Sequence, residues 1–154
     1  MSPDAIFSAA NLIAVAGWLL LVIAPRRRFA TLAAGTMIPL ALAALYLVLI
    51  AAHWGEARGG FSSLPAVADL FSNRWLLLAG WIHYLAFDLV TGTWEARDAI
   101  ARGVPHWLGV PCLLLTFLFG PIGFMAYHAA RRLTAALRPS SLATGPAAHP
   151  SDRE

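Results

Sequence analysis

The sequence predicts an all-α membrane protein: a polytopic four-helix bundle with a short interfacial helix between spans two and three and a disordered C-terminal tail. Three observations predict it. Hydrophobic residues fill 59% of the 154 positions and charged residues only 12%, with a mean hydropathy of +0.67; a soluble domain carries about twice that charge. Four apolar stretches approach or exceed the ~20 residues that a helix needs to cross the hydrocarbon core of a bilayer. The charged side chains, and Trp54, Trp75 and Trp107, gather at the ends of these stretches, where membrane proteins place them.

The first stretch, residues 5–24, stops at Pro25-Arg26-Arg27-Arg28. The second, residues 29–52, contains Pro39, whose missing N–H predicts a kink. Their connection is short, so the two should form an antiparallel hairpin. Residues 55–60 read as a loop. After them Ser63 offers a cap to a segment with an early proline, which predicts a short interfacial helix over 64–71, too short for a fifth span. The third span is expected over 74–95. The fourth, over 107–130, is interrupted by Gly120-Pro121-Ile122-Gly123, most simply a kink with a close helix contact, alternatively a break whose freed carbonyls line a cavity. The membrane domain thus takes residues 1–138, and the tail 139–154, rich in Pro, Ser, Ala and Gly, is expected to be disordered.

All 11 basic residues are arginines, and the formal charge is +3. No basic run is long enough to follow a phosphate backbone, so nucleic acid is not an expected partner. The single Cys112 excludes an intramolecular disulfide and any multi-cysteine cluster. The opening Met1-Ser2-Pro3-Asp4 lacks the basic region of a secretory signal. Four spans put both termini on one side. Arg26, Arg27, Arg28, Arg97 and Arg102 then face Arg58, Arg74, Arg131, Arg132 and Arg138 across the membrane. That tie is tipped toward termini outside by the dense triple arginine.

Ionisable side chains inside a span are costly and mark function by default. The third span is the richest. At 100° per residue one stripe reads Trp81, Tyr84, Asp88, Glu95, and a second face carries His83, Phe87, Trp94 and Arg97. Two polar faces predict a central helix with more than one neighbour. Asp88, near the midplane, is the candidate neutral acid or poised general base; the plainer reading is a carboxyl hydrogen-bonded to Asn11, Thr36 or a backbone carbonyl that holds the bundle together. Glu95 and Asp98 are expected near the boundary and solvated, with Asp98 and Arg102 as an ordinary helix pair. On a four-span path His53, His83 and His128 fall toward one membrane side, which would let them hold a metal or haem. No histidine motif supports that, and the expectation is no cofactor.

Leu70-Phe71-Ser72-Asn73, then Trp81-Ile82-His83 with Asp88-Leu89, then Gly120-Pro121-Ile122-Gly123 form an order of features that resembles the neoxanthin synthase family, the abscisic acid deficient four-like integral membrane proteins, over residues 7–133. The resemblance implies a four-span protein linked to carotenoids. The plant activity isomerises the epoxide of violaxanthin to the allene of neoxanthin, which needs an acid at the epoxide oxygen and a base for a polyene proton, without a redox cofactor. Trp81, His83 and Asp88 carry over to the matching block, and Asp88 with His83 or Tyr84 would supply acid and base. Trp81, Phe87, Glu95 and His128 are the candidate substrate-binding residues; Tyr84 and Glu95 come from the helical stripe alone.

The short polar loops and arginine-rich tail imply a multi-pass protein of a bacterial cell (inner) membrane rather than a plastid. Its expected partners are membrane lipids and a carotenoid or related isoprenoid, with a homo-oligomer left open. Two other functions compete with the isomerase: a non-catalytic carotenoid or retinoid binder or assembly protein, and a metal- or haem-dependent membrane oxidoreductase.

Overall fold

The computed structural model describes residues 2–137, so the tail expected at 139–154, and Arg138, lie outside the described residues. Six helices follow one another: α1 (Pro3–Ile23), α2 (Arg28–Glu56), α3 (Leu64–Ser72), α4 (Arg74–Arg102), α5 (His106–Phe119) and α6 (Pro121–Ala136), with no strand among the described residues. Of these, α1, α2 and α4 are long and apolar enough to cross a membrane.

The boundaries follow from capping chemistry. Ser63 opens α3 by accepting the Ala66 N–H at 3.3 Å, with Pro65 in the first turn. Asn73 both closes α3 and opens α4, its Oδ1 accepting the Trp75 N–H at 2.8 Å. Donors orphaned at a helix start are thereby satisfied. Gly103, at φ 63°, ends α4 in the left-handed conformation that glycine adopts without strain. The kink expected at Pro39 takes another form. The turns at Ala33–Met37 are π-helical, immediately before the proline. A proline ring collides with the carbonyl four residues back and donates nothing to it, and one wider turn absorbs both consequences without breaking the helix.

α4 is the central element, as its two polar faces predict. It runs parallel to α1: Phe7 meets Trp81, and Trp18 lies against Gly92. It runs antiparallel to α2, with Tyr46 against His83 and His53 stacked on Trp75. The first core cluster joins Ala10, Ala14, Leu42, Leu49, Ala79 and Ile82 from these three helices. α4 also runs seven residues beyond the expected 74–95, carrying Asp98 and Arg102 on its last turns.

The fourth segment is not the single traverse expected over 107–130. Gly120, at φ 32° and ψ −88°, breaks it into α5 and α6, which fold back on one another. Leu108 and Cys112 of α5 pack with Tyr127 and Ala130 of α6, and Gly123 sits directly on the backbone of Thr116. Along α4, Asp88 meets Gly120, Trp94 meets Phe124 and His128, and Asp98 meets Tyr127 and Arg131. α6 therefore returns alongside α4 to the end of the bundle from which α5 started. Glycine at 120 reaches a backbone conformation closed to most L-residues, and glycine at 123 lets two backbones touch. The close helix contact read from Gly-Pro-Ile-Gly is present, as a reversal rather than a kink. At 1.5 Å per residue the 14 residues of α5 reach about 21 Å inward, so the fourth place in the bundle is filled by a hairpin with its tip at mid-depth.

Candidate functional site

Asp88 is the midpoint residue of α4, and the hairpin tip is what faces it. A Cβ on Gly120 would stand 3.1 Å from Asp88 Oδ1. Tyr84, one turn earlier, donates its hydroxyl to the Phe117 carbonyl at 3.3 Å and interacts with the Asp88 carboxyl. Asp88 Oδ2 is buried with no hydrogen-bond partner among the described residues. A buried polar atom without a partner costs about 1–3 kcal/mol, so this carboxyl is not accounted for as a bundle-holding contact. The partners expected for that plainer role are absent from it: Asn11 instead accepts from Trp81 Nε1 at 3.2 Å and donates to the Phe7 carbonyl.

Trp81 and Tyr84 share the Asp88 face, their rings 5.3 Å apart. Trp81 lines a groove of about 230 Å³ between α1 and α4 with Phe7, Leu77 and Leu78, closed at its outer end by the Arg74–Asp4 ion pair at 2.8 Å. Asp88 does not line that groove; Tyr84 stands between them.

His83 points elsewhere. It lies against Tyr46 (5.9 Å) and Phe87 (4.7 Å) and lines a separate cleft of about 290 Å³ with Trp54, Phe61, Phe71 and Gly80, beneath α3. The 140° that separates positions 83 and 88 on a helix keeps His83 from sharing a site with Asp88. Phe87 is 61% exposed on the outer surface.

Glu95 corrects the expectation of a solvated boundary carboxyl. It is 1% exposed and accepts the Thr116 hydroxyl at 3.0 Å on either oxygen. The hairpin covers it, and that packing was not visible from α4 alone. A void of about 20 Å³, room for one water, adjoins it beside Arg26, His106 and Tyr127. Asp98 is more than half of a helix pair: besides Arg102 at 2.8 Å it accepts from Tyr127 at 2.6 Å and pairs with Arg131 at 3.2 Å. Thr116, Tyr127 and Arg131 are the site residues that sequence reasoning missed; the one signal for them was the glycine-rich break at 120–123.

The three histidines do not converge. His53 stacks on Trp75 where α4 begins, His83 faces the aromatic cleft, and His128 stacks on Trp94 toward the other end. Their convergence presupposed a fourth traverse, and the reversal at Gly120 carries His128 the other way. Among the described residues no group of three His, Cys, Asp or Glu side chains is placed to hold a metal ion.

These features define a helical membrane protein that aims an intramembrane carboxyl and a phenol at the tip of a broken helix. Residues 5–127 match the ABA DEFICIENT 4-like family, and the chain belongs to it. No curated protein and no solved structure matches the chain.

Proposed function

We propose that this protein binds a carotenoid or related isoprenoid from the bilayer and isomerises it by acid/base chemistry, with Asp88 as the acid and Tyr84 as its partner. The observation that carries the reading is the Asp88 oxygen buried without a partner at mid-depth, beside a phenol that stacks on the wall of an apolar groove. At about 230 Å³ the groove is smaller than the ~300–1,000 Å³ of a complete ligand pocket. It suits one end ring of a long ligand whose remainder lies along the lipid face.

In the epoxide-opening reaction implied by the family resemblance, the Tyr84 hydroxyl, which stands between the groove and Asp88, protonates the epoxide oxygen as the C–O bond breaks and is reprotonated by the neutral Asp88 carboxyl. The Asp88 carboxylate so formed recovers a proton from the adjacent polyene carbon through Tyr84, so the product is an isomer and no oxidant is needed. Tyr84 holds the carboxyl and the ring in register. Glu95, sealed against Thr116, shapes the site from below rather than touching the ligand, and His83 and His128 have no part in this step. Its proposed setting is a bacterial cell membrane, which the chain would cross several times; the short polar loops and the apolar helices support that reading.

The test is co-expression with a carotenoid pathway that supplies epoxy-xanthophylls, followed by pigment analysis. Asp88→Asn keeps shape and hydrogen bonding but removes the acid, and should lower conversion by about 10²–10⁴-fold while pigment still copurifies. Normal turnover in that variant would remove Asp88 from the chemistry. Pigment copurifying with no conversion even by the unmodified chain would leave a binder.

A further inference from the structure

The void beside Glu95 lies where α4, α5, α6 and the link between α1 and α2 meet. It is left open by small residues on two facing helices, Ala96 and Ala99 of α4 and Gly109 of α5. A Cβ on Gly109 would meet nothing within 4 Å although the residue is buried, so the open space there is the void itself. Arg26 and His106, both exposed, stand at its mouth, and Glu95, at 1% exposure, lies at its inner end. Arg26, Arg27, Arg28, Arg102, Arg131 and Arg132 gather at this end of the bundle, which the positive-inside rule makes cytoplasmic.

Hydrogen-bond arithmetic sets the state of Glu95. The Thr116 hydroxyl stands 3.0 Å from both carboxyl oxygens but has one hydrogen to give. No cation lies within ion-pair distance of the carboxyl among the described residues. Asp98, one turn on, takes Arg102, Arg131 and the Tyr127 hydroxyl for itself. A buried carboxylate with one donor and no cation is costly, so Glu95 stays protonated while the hairpin is docked. The other charged or titratable groups around it do not reverse this. Arg26 and His106 face it only across the void, and Asp88, two turns back on α4, would repel a second negative charge.

A water has room in the void and finds there the polar partners it needs. The Glu95 carboxyl, the Tyr127 oxygen, the His106 imidazole and the Arg26 guanidinium all line it. Neither Arg26 nor His106 makes a hydrogen bond or ion pair elsewhere among the described residues.

We propose that this void is a proton port and Glu95 the latch it serves: a water in the void exchanges the Glu95 proton with the cytoplasmic solution, and loss of that proton loosens the hairpin that covers Asp88. In the step the carboxyl O–H bond breaks, its proton passes to the water and out past His106 and Arg26, and a carboxylate remains. The reverse step restores the acid. The carboxylate needs more donors than Thr116 and one water supply, so further water enters the contact between Glu95 and Thr116 and parts α5 from α4.

The full chain in phosphatidylcholine nanodiscs would be followed by infrared spectroscopy and by the reactivity of Cys112, which packs with Ala99 where the hairpin meets α4. One protonated-carboxyl C=O band should be present in the unmodified chain at neutral pH, shift on transfer to D2O, and be missing from Glu95→Gln. Gly109→Val, which fills the void, should keep that band and lose its shift over the same interval. Arg26→Gln withdraws a positive charge from the mouth, so the band should persist to higher pH. As pH rises through the loss of the band, Cys112 should react faster with a small uncharged thiol reagent. The ratio of that rate to the rate in Glu95→Gln cancels the ordinary ionisation of the thiol. A band that does not shift in D2O, or a shift that survives in Gly109→Val, overturns the port. A full set of carboxyl bands in Glu95→Gln puts the proton elsewhere, and a rate ratio constant across pH overturns the latch. Should Gly109→Val fail to fold, the D2O shift of the unmodified chain and the Cys112 ratio decide between the same outcomes.

Discussion

Gly123→Ala tests the hairpin most directly. A Cβ at this position would run into the backbone N and Cα of Thr116 and its hydroxyl. Backbone atoms cannot swing aside as a side-chain tip can, so α5 and α6 must part. Overpacking of a close-packed contact costs about 1–3 kcal/mol. Parting the helices also draws the Thr116 hydroxyl from Glu95, and orphaning a buried acceptor costs a further ~1–3 kcal/mol. Against this the alanine gains up to about 1 kcal/mol of helix propensity over glycine. A net loss of about 1–5 kcal/mol is expected. Gly109→Ala is the internal control: the same hairpin, the same chemistry, but nothing within 4 Å of the added Cβ. That variant should be unchanged or slightly stabilised. Thermal unfolding of both in one detergent measures the difference. Equal melting temperatures for the two variants would show that α5 and α6 are not in contact, and the re-entrant reading would fall with them.

The remaining expectations concern the partners of the hairpin. Glu95→Gln keeps an acceptor for Thr116 and should stay near the parent stability, whereas Glu95→Leu strands the Thr116 hydroxyl and should lose about 1–3 kcal/mol in the same unfolding assay; equal stability of the two would deny the hydrogen bond. The hairpin puts Arg131 and Arg132 at the end that carries Arg26, Arg27, Arg28, Arg97 and Arg102, which the positive-inside rule makes cytoplasmic, and it predicts an odd number of crossings. In a Cys112→Ala background, cysteines introduced at Arg27 and Arg132 should react with an impermeant thiol reagent from the cytoplasmic side only, and one at Ser2 from the opposite side only. Labelling of 2 and 132 from one side would restore four traverses.

Much of the scaffold was legible because single-helix rules set it. The apolar lengths located α1, α2 and α4, Ser63 and Pro65 located α3, and the 100° wheel sorted Trp81, Tyr84 and Asp88 from His83. The fourth segment was misread because a window of hydropathy measures how apolar a stretch is, not whether its two halves continue in one direction. Gly120 decides that, through a backbone angle that composition does not record. The error spread to everything that depended on direction: Glu95 was placed in solvent, the histidines on one side, and the arginine count in a tie. The π turn was likewise out of reach, since Pro39 announces a disturbed helix but not which disturbance.

The hairpin also gives meaning to the order in which the chain is made. On the proposed topology Asp88 and Glu95 enter the bilayer with α4, before residues 106–136 have been synthesised. An acid near the centre of an inserting helix costs about 2.5–3.5 kcal/mol on insertion scales, and the Thr116 hydroxyl that bonds Glu95 and the Gly120 tip that covers Asp88 are both carried by the next segment to emerge. α5, with 14 residues, is too short to hold itself across the bilayer. Residues 106–136 are thus docked rather than inserted, and only against a finished α4. A chain stalled after residue 102 would show two uncovered acids within the membrane, which gives surveillance of membrane-protein assembly a chemical flag that a completed molecule no longer displays.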